Sequence, residues 1–465
     1  MSIDLNPIDL SDESHFLHHH CVVADSTIEN IDDRKVSVLR VGGGTRHGAI
    51  TSADADAMRR SCELSQTLGI PLLIVLDTSG ADITEGPAGL HAWGTFAAEL
   101  ARLSGVVPTT AIVTGACVSG PSLVLGLVDQ VIMTKEAFAY VSGPDSVREF
   151  TGIEVSREEL GSTELHETSG VASFITETLD DAMEIYSALI DYLPNNHIED
   201  APIYDSDDDD KRECNLAAST VPDSANAAYD VRDVLRDILD EDSLLEVRPS
   251  YAPNIITAFA RLNGRSVGLI ANQPIARAGT IDIEASRKAA RFVSFCDSFN
   301  IPILTFVDTP GFEPGKDLEW RGMIRHGAEL VYAYAQASVP RLCLILRKSY
   351  GGAYIVMDSK NLGNDWCGAW PNAEIAVMGA SGAVQILNRK QLAAVEGEEE
   401  KAALSKQLVS EYEDKFSNPN QAASLGYVDA IIEPKATRAI ISTVLDSLIT
   451  KKESPENRKH GNSPL

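Results

Sequence analysis

Two short stretches place residues with little or no side chain where an apolar strand hands over to a helix. One is CVSGPS, Cys117 to Ser122; the other is RKSYGGAY, Arg347 to Tyr354. A strand-to-helix turn aims free backbone N–H groups, aided by the helix dipole, at one point in space. That geometry stabilises an oxyanion, and a missing Cβ lets a ligand approach the main chain. A tight turn or close packing is the alternative reading of a lone Gly-Gly. Two such turns imply two oxyanions, and few reactions need two.

The elements that must position these turns are repeated. GIPLLIVLDTSG, ending at Gly80, is matched by NIPILTFVDTPG, ending at Gly311, so that Asp308 stands 231 positions after Asp77. The same spacing lays Gly279 on Gly48, each at the head of a helix-like segment. VVPTTAIVTGACVSGPS matches SVPRLCLILRKSYGGAY, with Gly351-Gly352 falling 232 positions after Ser119-Gly120. FAYVSGPDSV resembles EIAVMGASGAV, with Gly379 on Gly143. Matched blocks in one order mark a duplicated domain. Each half alternates short apolar strands with helices, which predicts an α/β layer architecture. The domains are expected over 1–225 and 226–465, the first ending in an acidic linker near 198–225 that carries Asp207 to Asp210. Four consecutive acids converge poorly on one ion, so a solvated linker is preferred to a metal site.

Composition removes several function classes. The 465 residues are 44% hydrophobic and 23% charged, an ordinary globular balance. The formal net charge of -29 disfavours nucleic acid and acidic membranes as partners. No window holds eighteen uncharged apolar residues, and the acidic start lacks the layout of a secretory signal. The seven cysteines form no CxxC pair, which points to reduced thiols and a cytoplasmic location. HFLHHHC, His15 to Cys21, could bind a transition metal but has no second ligand cluster, so no metal site is expected.

GVVPTTAIVTGACVSG, VDTPGFEPG, RKSYGGAY, AWPNAEIAVMGASGAV, VPDSANAAYD and KHGNSPL together resemble the carboxyltransferase β subunit of biotin-dependent acyl-CoA carboxylases, of the propionyl-CoA and acetyl-CoA type. The resemblance covers roughly residues 30 to 465 and implies two tandem crotonase-like domains of the ClpP/crotonase superfamily. It implies a homo-hexamer built as a trimer of dimers, or a mixed β-subunit hexamer, with active sites where the first domain of one subunit faces the second domain of another. The implied reaction moves the carboxyl group of carboxybiotin, held on a separate carrier protein, to the α-carbon of a short acyl-CoA. Partners would be a biotin carboxylase and a biotin carboxyl carrier subunit, since the chain contains no AMKM-like biotinylation stretch. The two holes suit this chemistry, because charge develops on the biotin ureido oxygen and on the thioester oxygen. The freed biotin nitrogen can take the α-proton, so no side-chain base is required. That agrees with CVSGP, which fails GxSxG because Cys117 holds the first glycine position.

By the same resemblance, Gly352 and Ala353 donate the second-half hole and Gly351 gives clearance. Ser119 and Gly120 occupy the first-half turn, where the family has Gly-Gly. Gly80, Asp82, Gly311, Phe312 and Ile355 fall on substrate-binding positions, Ile355 being either an acyl-pocket residue or ordinary helix packing. Which hole serves biotin is left open. Three departures stand out. Ser119 replaces a glycine beside Pro121, which has no N–H. Asp82 replaces an arginine and is expected to repel an anion. The chain also begins late relative to the family's N-terminal arm. They keep two other readings in view: a decarboxylase or transferase with a non-standard acceptor, and a non-catalytic subunit that assembles with an active paralogue. Arg46, His47, Arg59, Arg60, Arg321, Arg325 and His326 could contact CoA phosphates or be solvated surface cations.

Overall fold

A computed structural model describes residues 19–43, 45–224, 227–451, 453 and 461–464. The chain divides into two compact units, Met1–Asp200 and Ala201–Leu465. In the first, LLIVLDT at Leu72–Thr78 is buried almost from end to end, as a parallel strand covered on both faces should be. The strands are β1 (His19–His20), β2 (Ala24–Ile31), β3 (Arg34–Gly42), β4 (Leu72–Thr78), β5 (Thr109–Val118), β6 (Gln130–Thr134), β7 (Phe138–Tyr140) and β8 (Phe174–Thr176). They form an eight-stranded sheet in the order β1-β2-β3-β4-β5-β6-β8, with β7 paired to the far end of β5. The β2–β3 hairpin is antiparallel, and β3 to β6 run parallel, connected by the helices Ala55–Leu68 and Pro87–Leu103. One face packs those helices around Leu72, Ile74, Phe96 and Leu100; the other packs Leu73, Ile112 and Ile132 against Tyr186.

The second unit repeats this plan with β9 (Leu245–Glu246), β10 (Ile255–Leu262), β11 (Arg265–Asn272), β12 (Ile303–Thr309), β13 (Arg341–Tyr350), β14 (Trp366–Ala369), β15 (Glu374–Ala376) and β16 (Ala430–Ile431). Its order is β16-β14-β13-β12-β11-β10-β9, with β15 paired to the far end of β13. Strand for strand this is the first sheet again. The helix Ile283–Ser298 starts where Asp282 accepts the Ala285 amide at 2.8 Å, a side-chain N-cap. Each unit is a crotonase-like α/β domain, as the motifs implied. No helix among the described residues is long and apolar enough to cross a membrane.

The segment expected to be an acidic linker is packed into the second unit. Ile203 bridges Arg265, and Asp208 pairs with Arg212 at 2.8 Å. The fully buried Arg438 donates to the carbonyl oxygens of Asp209 and Ile238, both at 2.9 Å, and to Asp240 at 2.7 Å. The Arg212 hydrogen bond holds the Asp208 carboxyl below its ordinary range. Composition shows the acids but not an arginine that arrives from the far end of the chain. Of HFLHHHC, the residues before His19 lie outside the described residues; His19 and His20 pair with Ser26 and Asp25 as a strand.

Candidate functional site

The second-half turn is built on β13, which is buried along its whole length and leads directly into the six-residue helix Gly351–Val356. Gly351 sits at φ +59°, where a side chain is strained, and a Cβ there would lie 3.1 Å from the Val377 carbonyl oxygen. A Cβ on Gly352 would meet the Phe312 ring at 3.2 Å. The amides of Gly351, Gly352 and Ala353 open the helix and so have no carbonyl partner within it. Ala353 is buried, Gly352 is exposed and Ile355 is half-buried.

Phe312 reaches the same turn from β12. It forms an isolated parallel bridge with Ile281. The Ile281 amide donates to Gly311 O at 3.1 Å and the Glu313 amide donates to Ile281 O at 3.0 Å. Those bonds use the groups flanking Phe312 and leave its own N–H facing away from Ile281. Gly311, at φ +138°, supplies the backbone bend. The first half repeats the device with Ile50 and Ala81. The Ile50 amide donates to Gly80 O and the Asp82 amide donates to Ile50 O, both at 2.8 Å. Gly80 and Asp82, expected from the resemblance at substrate-binding positions, engage Ile50 through these bonds, and Ala81 between them keeps its N–H on the outer side. Only the bridge reveals which amide faces outward.

The first-half turn differs from its counterpart. Ser119 adopts φ +64° and ψ −148°, a region that is nearly glycine-only and costs a side-chain-bearing residue about 1–3 kcal/mol. Its N–H is already bonded to Tyr140 O at 2.9 Å. Its carbonyl accepts from the Ser122 hydroxyl at 2.7 Å and the Ser122 amide at 3.1 Å. Gly120 is tightly covered. A Cβ there would lie 2.9, 3.1 and 3.4 Å from Nε1, Cδ1 and Cε2 of Trp93, so the indole nitrogen packs on it. Cys117 is fully buried, and burial pushes its thiol up to about 12, which disqualifies it as a nucleophile.

Asp82 does not present a bare anion. It is 6% exposed, accepts from Thr84 N at 2.8 Å and Thr84 Oγ1 at 2.7 Å, and is ion-paired with Arg46. The Thr84 hydroxyl and amide, then Arg46, hold its carboxyl below the ordinary range. The second half has the same pair in the same place, Arg277 with Glu313 at 3.2 Å. Both arginines lie in left-handed backbone just before Gly48 and Gly279, where a Cβ would strike Asp77 O at 2.3 Å and Asp308 O at 2.5 Å. The expected repulsion is thus replaced by an internal pair, invisible in sequence because its partners are 36 residues apart. Arg59 pairs with Glu63 and Arg321 with Glu284; Arg325 bonds His326, which bonds Glu329.

Two aspartates anchor the strand ends. Asp308, 1% exposed, accepts from Arg347 Nε at 3.0 Å and from the Lys348 amide at 3.2 Å. Arg347 is held in turn by the carbonyl oxygens of Ser224 at 2.6 Å and Ala227 at 2.9 Å. In the first half Asp77 accepts the Ala116 amide at 2.9 Å, but Gly115 stands where Arg347 would be, and Asp77 is exposed. A cavity of about 430 Å³ lies beside the second turn, lined by Arg347, Lys348, Tyr350, Glu374, Ser381 and Glu413. Tyr350 donates to Glu374, and burial first, then that bond, raises its phenol pKa. Burial lowers Lys348 and raises Glu413. The first unit has a cavity of about 570 Å³ against the helix Pro144–Thr151, the counterpart of the second unit's Ala380–Leu387, which carries Ser381. Among the described residues no cluster of His, Cys, Asp or Glu could hold a metal ion.

The family described as the carboxyl transferase domain matches residues 31–463. A propionyl-CoA carboxylase carboxyltransferase subunit from Haloferax mediterranei is 44% identical over 94% of this chain and 84% of its own length. The methylmalonyl-CoA decarboxylase subunit alpha of Veillonella parvula is 41% identical over the same shares, 94% and 84%. Among solved structures, the transcarboxylase 12S hexamer, crystallised with methylmalonyl-coenzyme A and methylmalonic acid bound, superposes with a TM-score of 0.91. It is 40% identical, covering 95% of this chain and 85% of that one.

Proposed function

The chain belongs to the carboxyl transferase family, and we propose that it moves a carboxyl group between biotin on a carrier protein and the α-carbon of a short acyl-CoA of the propionyl-CoA or acetyl-CoA type. The observation that carries this reading is a duplicated strand amide turned away from its bridge partner beside a strand-to-helix turn: Ala81, next to Gly80, which packs against Ser119, and Phe312, whose ring packs on Gly352. On this reading the amides of Ala81 and Gly120 serve one oxygen and those of Phe312, Gly352 and Ala353 another, and each donor can supply roughly 3 kcal/mol of transition-state stabilisation. The residues present suit a biotin-dependent reaction, since glycine at 120 and 352, where a Cβ would press on Trp93 and Phe312, leaves each turn's backbone amides uncovered by a side chain of its own.

When bound, carboxybiotin supplies the carboxyl group and a ureido nitrogen able to accept the α-proton. The chain's own part is positional. The amides at one hole hold the thioester oxygen as it gains charge on enolate formation. Those at the other hold the ureido oxygen. The small residues at 120, 351 and 352 let both approach the main chain. The buried thiol of Cys117 and the ion-paired Asp82 supply no nucleophile or base, in keeping with acid–base work done by the substrates. Gly80 and Gly311 bend the strand ends, and Ile355 faces the acyl group as an apolar wall.

A second reading is favoured by the Veillonella relative, whose name is that of a decarboxylase subunit: the same transfer run from a malonyl-type thioester to biotin. Partners would be a biotin carboxylase or a separate biotin carrier, within a hexamer built from this chain alone or mixed with a related β subunit. A cytoplasmic site of action is in keeping with seven free cysteines. Purified protein supplied with malonyl-CoA or methylmalonyl-CoA and free biocytin tests the reading. Biocytin-dependent release of the decarboxylated acyl-CoA is expected; turnover indifferent to biocytin, or none with either thioester, overturns it.

A further inference from the structure

At the first-half turn every backbone group of Ser119 is already engaged. Its N–H is bonded to Tyr140 and its carbonyl to Ser122. Pro121 contributes no donor. The side chain is exposed, and among the described residues nothing bonds its Oγ. It stands on the hole side of the turn. A Cβ built on Gly80 would lie 3.2 Å from Ser119 Cβ and 3.9 Å from its Oγ, so the hydroxyl rises beside the Gly80–Ala81 peptide whose amide faces outward. In the second half the same position is Gly351, where the Val377 carbonyl leaves little space for a side chain. The first half retains a serine in backbone that glycine would occupy without strain, and the one polar group that serine adds is the hydroxyl.

We propose that the Ser119 hydroxyl is a direct hydrogen-bond donor to the substrate oxygen held by the Ala81 and Gly120 amides, a catalytic residue of the first half-site. The inference rests on the carboxyltransferase reading, and the oxygen it serves is one that gains negative charge, on either the thioester or the biotin ureido group. The donor restores at the first turn the multiplicity that Gly352 and Ala353 give the second. It also explains why strain at Ser119 is retained.

The test compares Ser119→Ala and Ser119→Gly in biocytin-dependent decarboxylation of malonyl-CoA, each with a melting temperature. The alanine variant keeps the backbone and loses the hydroxyl. Its kcat is expected to fall roughly tenfold to a hundredfold with KM little changed. The glycine variant is expected to melt higher than wild type yet lose kcat to the same extent. A glycine variant as fast as wild type, or faster, overturns the proposal, as does an alanine variant at wild-type rate. Replacing the thioester oxygen by sulfur assigns the acceptor. Slowing of wild type beyond that of Ser119→Ala places the hydroxyl on the thioester, and equal slowing places it on the ureido oxygen. An inactive wild-type protein is a different result, because it removes the carboxyltransferase reading itself.

Discussion

The two halves share one backbone plan and differ in how they fill it. The second half is the drier and more glycine-adapted. Gly351 relaxes into left-handed backbone, Arg347 buries itself against Asp308, and β13 is buried throughout. The first half puts Ser119 in the strained position and Gly115 where the arginine would be, leaving Asp77 exposed. What the halves keep in common is therefore the more telling: the outward amides at 81 and 312, the Arg46–Asp82 and Arg277–Glu313 pairs, and the glycines at 48 and 279. Those features set the direction of the backbone donors. The side chains around them diverge between the halves, as two sites proposed to serve oxygens of different molecules would require.

Breaking the Asp308 anchor should produce the largest effect. Arg347→Met removes the closer cation from a buried carboxylate, leaving Lys348 Nζ at 3.9 Å, and is expected to cost about 3 kcal/mol of stability. Asp77→Asn, at the exposed counterpart, should change the denaturation midpoint only marginally; equal losses at both sites would abolish the distinction between the halves. Next in size, Gly352→Val forces a branched side chain into the Phe312 ring and over the donor face. Turnover should drop by roughly two to three orders of magnitude, as for the loss of an oxyanion donor. The far-UV circular dichroism spectrum should be unchanged, because Gly352 is exposed; unchanged turnover would remove the oxyanion role from this turn.

The smallest effect belongs to the Arg46–Asp82 pair. Arg46 is more than half exposed, so solvent screens the interaction and Arg46→Met should lower the melting temperature only slightly. The sign of its pH dependence is fixed by the depressed pKa of Asp82. A carboxyl with a folded-state pKa below its unfolded value stabilises fully above the unfolded value, near 3.9, and loses that contribution as pH falls through the folded one. The gap between wild type and variant should hold steady from pH 5 to 8 and close below about pH 4. A gap that widens in acid would mean that Asp82 is not the partner that matters.

Much of the fold was legible because its signals are local. GIPLLIVLDTSG and NIPILTFVDTPG are apolar runs that end in turn residues, and their repetition in order fixed two α/β domains and their strand sequence. Glycines at 48, 279, 351 and 352 could be singled out because close approach or a positive φ excludes a side chain there. The proposed site was legible in part: Gly120 and the 351–353 turn stand out by type and spacing, while Ala81 does not, since nothing in an alanine marks which way its amide points.

What the sequence determined by itself was therefore the periodic and the punctuated: the duplicated pattern of strands and helices, the placement of the glycine turns, and the absence of a nucleophile at CVSGP. The tertiary structure alone decided which polar groups are already engaged. Tyr140 takes the Ser119 amide, Arg46 neutralises Asp82, and Arg438 gathers the backbone of an acidic run that read as a solvated linker. Periodicity follows from the backbone's own geometry over a few residues. A hydrogen bond or ion pair depends on which distant segment folding brings within about 3 Å, and no local spacing encodes that.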